Sequence, residues 1–474
     1  MKYKVLKSNL QGKVNIPSSK SIAARYLFTS IFSKEQISFS GYGFSEDIKT
    51  YFENVQKIKP DSYCKLNEDG SFFIYVDNVV DNELYYKNKD KVKVFDCKDS
   101  GFCLRALPII LSYFPSSNLI KASDQLLNRP YKMVLKTIKE GKAKCIYFKN
   151  DKYFMVKGPI QPSKYILSTK ITTQHVSGLL MTLPFIEGKS YVFVKTYNNS
   201  SFIDLTVNIL NKAGISIEKI ENKKLKKVDY DKNYKNEIYY IDGNQNVNFN
   251  NILNLNNKQN IKQNNNININ QNVILIESDW SSASFFLVSA ALGGPIEFSN
   301  LQINSLQPDS KIIDILKLVG AEIKIDKENN IITVKRNNLH SFEFDISDCP
   351  DLFPSIAVLA SFCEGETKIY GIERLKYKES NRIKSIYENF NKIGVKIKIK
   401  KDFVLIEGKN DFENSVSDEI LVFSYNDHRI FMALFILATY SKCNIIIDDN
   451  DSFKKSYPEF LIHYKTLGGD FEFY

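Results

Sequence analysis

The sequence predicts an α/β (α+β) protein of two domains, built from six similar α/β units of about 70–75 residues each. Three observations predict it. The 474 residues are too many for one ordinary core and suit two domains. Helix-patterned segments repeatedly reach a Gly and pass at once into apolar–polar alternation, the sign of a helix stopped at a left-handed residue before a strand. Those glycines recur at a near-constant step in the numbering: 73 from Gly141 to Gly214, 74 from Gly320 to Gly394 and 74 from Gly394 to Gly468.

In chain order, Gly141 precedes Cys145-Ile146-Tyr147, and Leu210 to Ala213 ends at Gly214 before Ile215-Ser216-Ile217. Ile315 to Val319 ends at Gly320 before Ala321 to Ile325, and Phe390 to Ile393 ends at Gly394 before Val395-Lys396-Ile397. Tyr464 to Leu467 ends at Gly468 before a terminal Phe471-Glu472-Phe473. The step from Gly214 to Gly320 is 106, and it holds a tract from Asn244 to Asn272 in which about half of the positions are Asn. Removing a tract of that size restores the period. Such a tract has too little apolar surface to order itself, so a mobile insertion is expected at about 243–273.

Composition narrows the function. With 43% hydrophobic and 25% charged residues the chain reads as an ordinary soluble globular protein. The formal charge of +10 suits focusing of small anionic substrates on a lysine-rich background. Nucleic acid is not expected as a partner, because no basic run is interleaved with stacking aromatics. The seven Cys are scattered, odd in number and without zinc-site spacing, so neither disulfides nor a structural metal is expected, and a reducing cytoplasm fits. No apolar stretch marks a signal peptide at the start, and no run of about 18 apolar residues marks a membrane span. A monomer is expected.

Arginine is the sharpest compositional signal: 7 Arg stand against 57 Lys. Where Arg persists on such a background, a planar five-donor guanidinium is needed that an ammonium cannot replace. Arg25, Arg105, Arg129, Arg374, Arg382 and Arg429 lie in or beside compact polar motifs; Arg336 does not. The chain therefore reads as one that grips carboxylates or phosphates at several points.

The motifs follow. Ile16 to Arg25 (IPSSKSIAAR) ends a strand and starts a helix, placing Lys20, Ser21 and Arg25 beside free backbone N–H groups, an anion site or an ordinary N-cap. Asp99 to Arg105 (DSGFCLR), then Asn128-Arg129-Pro130, puts Gly101 at a helix start where a ligand can approach the backbone. Thr172-Thr173-Gln174 heads another helix and either caps it or holds a phosphate. Cys349-Pro350-Asp351 sets a carboxylate at the mouth of an apolar helix. In Lys376 to Arg382 (KYKESNR), Lys378 and Arg382 are four apart and expected to share a helical face, with Glu379 beside them. Tyr425 to Arg429 (YNDHR) abuts an apolar helix, and Lys454-Lys455-Ser456-Tyr457-Pro458 comes last.

SSKSIAAR, SGFCLR, NRP, TTQ, ESDWSSASFF, CPD, KESNR, YNDHR and KSYP, in that order, resemble the 5-enolpyruvylshikimate-3-phosphate synthase family over nearly the whole chain. The resemblance leaves out the Asn-rich tract and a lysine-rich stretch near 222–236. It implies two domains, 18–276 and 1–17 plus 277–474, each an inside-out α/β barrel of three βαβαββ units, with a ligand cleft between them. It implies transfer of the enolpyruvyl group of phosphoenolpyruvate to the 5-hydroxyl of shikimate 3-phosphate, with release of phosphate and no metal or organic cofactor. Carried over by motif, Lys20, Gly101, Arg129, Gln174, Arg382, Arg429 and Lys455 bind phosphoenolpyruvate. Ser21, Arg25, Thr172, Thr173, Gln174, Asn199, Asp351 and Lys378 bind shikimate 3-phosphate. The expected catalytic groups are Asp351 at the hydroxyl, Glu379 at the methylene carbon and Lys20 at the leaving phosphate.

Ser18 replaces a usual Gly, and Phe102-Cys103 a usual Thr-Ala, so the Phe102 ring is expected to narrow the phosphoenolpyruvate pocket and weaken the family's inhibitor glyphosate. Asn199 and Phe202 stand where a Ser and a Tyr are usual. The nearest rival is a UDP-N-acetylglucosamine enolpyruvyl transferase, with a non-catalytic anion-binding relative behind it; KESNR and YNDHR favour the shikimate enzyme.

Overall fold

Strand alternation decides which sheet face is buried. In Ser71–Val76 the side chains of Phe72, Ile74 and Val76 are buried while their neighbours are half-exposed, the pattern of a sheet with one face on a core. The principal helices behave differently. Gly101–Leu111, Trp280–Leu292 and Phe353–Phe362 are buried along their whole length, and His428–Tyr440 along all but its last residue. A helix apolar all round belongs inside, so helices form the interior and sheets the covering. The computed structural model describes residues 1–84, 92–148, 150–196, 200–220, 235–250, 252–253, 273–409 and 419–474.

Among the described residues there are six four-stranded sheets with one shared topology. In the clearest, strand Lys93–Asp96 pairs in parallel with Ser117–Lys121 after a crossover through helix Gly101–Leu111. Ser117–Lys121 then pairs antiparallel with Tyr153–Lys157, which pairs antiparallel with Lys144–Phe148. The same βαβαββ order recurs in strands Lys164–Ser168 to Lys235–Asp242 and Glu343–Asp345 to Phe403–Gly408. The other three sheets exchange strands along the chain. Gly12–Val14 lies parallel to Ile296–Phe298, and Val273–Leu275 parallel to Ile37–Tyr42. Lys2–Leu6 fills the fourth place between Ile445–Asp448 and Asp470–Phe473.

The chain divides into two units, Met1–Ser19 with Glu277–Tyr474, and Lys20–Ile276. Within the first unit Ser18 bridges to Ser278, and the Ser19 N–H donates to the Glu277 carbonyl at 2.7 Å. In the first unit the helices Trp280–Leu292, Phe353–Phe362 and His428–Tyr440 pack on one another; in the second, Gly101–Leu111 packs on Lys20–Ser30 and Gln174–Leu180. The motifs at Lys20, Gly101, Gln174, Trp280, Asp351 and Arg429 therefore lie at or beside the N-terminus of a central helix.

Two expectations are corrected here. Gly394 does stop its helix in the left-handed region at φ 97°, but Gly141 has φ −83°, and Lys142 takes the left-handed place at φ 61°. Gly141 is required for packing instead, since a Cβ there would meet Ile160 Cγ1 at 2.2 Å. The expected mobile insertion is ordered at its front. Val247, Phe249, Ile252 and Leu253 are buried, Phe249 lies edge-on to Tyr26 and Phe39, and the Asn248 N–H donates to Ala213. Apolar residues spaced among the asparagines give that stretch a core to join. The remainder of the tract (251 and 254–272), the lysine-rich stretch from 222 to 234 and Asn199 lie outside the described residues.

Candidate active site

In the unit Lys20–Ile276, the charged groups gather at the starts of the three central helices. Lys20 opens its helix and donates to Asp47 Oδ2 at 2.8 Å. Arg25, one turn on, is buried and spends three nitrogens on protein acceptors: Nε on Thr206 Oγ1 at 2.8 Å, Nη1 on the Ser21 carbonyl at 2.6 Å, Nη2 on the Phe202 carbonyl at 2.9 Å. Among the described residues no carboxylate pairs with it, and burial pulls its pKa down to about 9. Arg25 thus fixes the backbone carrying Ser21 and ties it to the helix Ser201–Lys212.

Gly101 begins its helix one residue after the cap Ser100. A Cβ at this position would stand 2.9 Å from Arg105 Nη1 and 3.1 Å from Arg129 Nη1. Two guanidinium groups therefore flank a helix N-terminus, a strong local field for an anion. Arg105 also donates to Gln174 Oε1 at 2.7 Å, joining this helix start to the next, where Thr172 Oγ1 accepts from the Gln174 N–H at 3.3 Å. Phe102 does not turn towards these groups. Its ring is buried, stacks on Phe28 at 6.1 Å, meets Tyr51 edge-on and lies 5.0 Å beneath the Arg25 guanidinium. Its aromatic body is held by this core packing, one residue after Gly101.

The other unit holds a denser network. Arg382, 1% exposed, donates Nη1 to Asp351 at 2.6 Å, Nη2 to Glu379 at 2.8 Å and Nε to Asp427 at 2.9 Å. Lys378 donates to the same Asp351 Oδ1 at 2.9 Å, and Lys455 to Glu379 Oε1 at 3.3 Å. Arg429 Nε lies 3.7 Å from Asp351 Oδ1. Lys378 and Arg382 do not share a helical face, because the helix begins only at Arg382, capped by Asn381, and Lys378 is extended. They meet on Asp351 instead. Burial pushes the Asp351 carboxyl up, but Lys378, Arg429 and Arg382 together hold it well below the usual carboxylate range.

Asp427 was not among the expected site residues, yet it organises this half. It is fully buried, caps the helix His428–Tyr440 through the Arg429 N–H at 3.0 Å, accepts two Arg382 donors and holds Ser380. Its signal was present: an Asp just before an apolar helix is a capping residue. Asp47 and Arg105 were also missed as partners of Lys20 and Gln174. Nothing local in the sequence links Lys20 to Asp47 or Arg105 to Gln174, pairs that lie far apart along the chain.

The arrangement in each unit suits multiply negative ligands and, through Asp351 and Glu379, proton transfer. The model of the family described as EPSP synthase (3-phosphoshikimate 1-carboxyvinyltransferase) matches residues 6–243 and 251–463. The 3-phosphoshikimate 1-carboxyvinyltransferase of Clostridium novyi is 30% identical over 473 residues, 98% of this chain and 97% of its own. That of Clostridium perfringens is 31% identical over 464 residues, with the same coverage. In fold, the chain matches EPSP synthase from Acinetobacter baumannii with a TM-score of 0.72 at 20% identity over all of both chains. It matches the enolpyruvyl transferase NikO from Streptomyces tendae with 0.71 at 12% identity, over 99% and 98% of the chains. Matched over nearly its whole length by the family model and by relatives at 30% identity or more, the chain belongs to the EPSP synthase family of transferases.

Proposed function

We propose that this enzyme transfers the enolpyruvyl group of phosphoenolpyruvate to the 5-hydroxyl of shikimate 3-phosphate, releasing phosphate, as a step of aromatic amino acid biosynthesis. The observation that carries the reading is the fork of Arg382 on Asp351 and Glu379, each of which also holds a lysine. Two carboxylates, each beside cations, suit a reaction that removes one proton and delivers another next to anionic substrates.

Asp351 orients the 5-hydroxyl and takes its proton. Held ionised by its cations, it is an acceptor before substrate arrives and a weak base. Anionic substrates neutralise the field of Lys378, Arg382 and Arg429, so its basicity rises when the substrate is in place. Glu379 delivers a proton to the methylene carbon as the 5-oxygen bonds to C2, giving a tetrahedral intermediate. Glu379 then recovers that proton as the C2–O bond to phosphate breaks and the enol ether forms, and the proton taken by Asp351 leaves with the departing phosphate. Lys20 neutralises the departing phosphate. Gly101, Arg129, Gln174, Arg382, Arg429 and Lys455 bind phosphoenolpyruvate; Ser21, Arg25, Thr172, Thr173, Asn199 and Lys378 bind shikimate 3-phosphate, Arg25 acting through the backbone it fixes. Proton transfers suffice for this chemistry, so no metal or organic cofactor takes part. Among the described residues no helix is long and apolar enough to cross a membrane.

The test is phosphate release by the purified protein. Release that requires both phosphoenolpyruvate and shikimate 3-phosphate is expected. Release with UDP-N-acetylglucosamine as acceptor instead, or none with either, overturns the reading.

A further inference from the structure

Asp449 is a buried carboxylate outside the site residues named above, and it joins two of the segments that carry them. Strands Ile420–Phe423 and Ile445–Asp448 lie side by side and parallel, so their chains leave the sheet at the same end. One chain passes through Ser424 to Asp427 and into the helix bearing Arg429; the other passes through Asp449 into the turn Ser452–Lys455. Ser424 and Asp449 are 1% and 3% exposed. Asp449 Oδ1 accepts from the Ser424 hydroxyl, and its Oδ2 accepts from the Ser452 N–H at 2.7 Å. The same Ser424 oxygen accepts from the Asn426 N–H at 3.2 Å, and the Ser424 carbonyl accepts from the Asp427 N–H at 3.0 Å. Both segments contain backbone that does not hold itself. Tyr425, Asn426 and Asp451 have φ of 56°, 55° and 57°, left-handed values that residues other than glycine keep only where their surroundings impose them.

We propose that Asp449 is a positioning residue for the phosphoenolpyruvate cations: it clamps the loop before Arg429 to the turn that carries Lys455, so that Arg429, Lys455 and, through Asp427, Arg382 keep a fixed spacing. The proposal rests on the functional reading above. A carboxylate that only capped the turn would spend itself on that turn, whereas Asp449 gives one oxygen to each segment. Both oxygens face donors, a hydroxyl and an N–H, and an amide in their place would turn its own NH2 towards one of them. With Ser424 held, Asp427 stands where it caps the Arg429 N–H at 3.0 Å and accepts from Arg382 Nε at 2.9 Å. The turn Ser452–Lys455 packs on the same helix His428–Tyr440. The residues read as binding shikimate 3-phosphate lie on other segments: Ser21, Thr172 and Thr173 in the unit Lys20–Ile276, and Lys378 in the extended stretch before Arg382. The clamp therefore bears on one substrate and not on the other.

The test measures kcat and the KM for each substrate in the wild type, Asp449→Asn, Ser424→Ala and the double variant. In each single variant KM for phosphoenolpyruvate is expected to rise about tenfold, while KM for shikimate 3-phosphate changes about twofold or less. Because both substitutions open one clamp, the double variant is expected to match the worse single variant rather than the product of the two. A purely structural carboxyl would lower the folded fraction, and with it kcat per mole of chain, and leave both KM values where they were. An unchanged KM for phosphoenolpyruvate, an equal rise for both substrates, or multiplied effects in the double variant overturns the proposal. If Asp449→Asn fails to fold, Ser424→Ala decides by the same comparison of KM values. Absence of turnover in the wild type overturns the functional reading and this role with it, whereas turnover with no selective rise in KM for phosphoenolpyruvate overturns this role alone.

Discussion

Replacing Arg382 by Lys keeps the charge and removes the shape. The guanidinium reaches Asp351 at 2.6 Å, Glu379 at 2.8 Å and Asp427 at 2.9 Å from three different nitrogens. An ammonium is a single point on a flexible stem and keeps close contact with one of the three. Asp427 has the strongest claim on it, since its other partners are neutral, namely the Ser380 hydroxyl and two backbone N–H groups. Asp351 retains Lys378, and Glu379 retains Lys455. Two charge-assisted hydrogen bonds are then lost, each contributing about 1.5–3 kcal/mol. The surviving lysines set the total near the lower bound, about 3 kcal/mol, which is also where removal of one partner of a buried pair begins. For a unit of about 200 residues each kcal/mol shifts Tm by about 2–4 °C, so scanning calorimetry should record a fall of about 6–12 °C in the transition of this unit. Turnover should fall as well, since both carboxylates lose their shared anchor. A Tm within about 2 °C of wild type, with native circular dichroism, would show that the fork does not hold this half together.

Three further outcomes are expected. Glu379→Gln should cut turnover by about 10²–10⁴-fold with little change in the affinity for shikimate 3-phosphate; near-normal turnover of the purified variant rejects its role in proton transfer. Gly101→Ala places a methyl group 2.9 Å from Arg105 Nη1 and 3.1 Å from Arg129 Nη1. Both are ends of flexible side chains, so the fold should persist while KM for phosphoenolpyruvate rises about tenfold, and an unchanged KM removes this helix start from the site. Asp351→Asn tests linkage. A carboxyl depressed below its ordinary 3.8 stabilises the fold above that value and loses its contribution as pH falls through the depressed value. The Tm gap between wild type and variant should therefore be constant from pH 8 to pH 5 and close only below pH 3.8, and a gap that narrows above pH 5 contradicts the assignment.

The period of the fold was legible because its punctuation is local. A glycine before an alternating strand at Gly394, with φ 97°, is a conformational requirement written in one residue. The same letter at Gly141 meant something else, a close approach to Ile160, and close approach between distant segments leaves no local mark. The site divides along the same line. KESNR and YNDHR were visible as clusters, but the reason they form one network is Asp427, whose capping of one helix and grip on Arg382 of another arise only on folding. Lys378 and Arg382 illustrate the converse: a four-residue spacing implies a shared face only inside a helix, and this helix starts at Arg382. The asparagine tract misled because its composition was averaged. Val247, Phe249, Ile252 and Leu253 are enough apolar surface to anchor its first turns.

The exposures of the seven arginines explain why they survived in a chain rich in lysine. Arg25, Arg105, Arg382 and Arg429 are each no more than 2% exposed, Arg129 and Arg374 are half-buried, and Arg336, alone outside any motif, is exposed. A compact ammonium loses more hydration on burial than a delocalised guanidinium and returns fewer directed hydrogen bonds. Drift towards lysine is therefore opposed wherever a cation must be both buried and divided among several acceptors. Arg25 divides itself among Thr206, Ser21 and Phe202, Arg105 among Gln174, Gly101 and Pro130, and Arg382 among three carboxylates. Lys20, Lys378 and Lys455 do the complementary work, each facing a single carboxylate from a partly exposed position where a point charge suffices. The choice between the two cations thus follows from local solvation and acceptor number, and it sorts fixed framework guanidinium groups from ammonium groups free to move with a ligand.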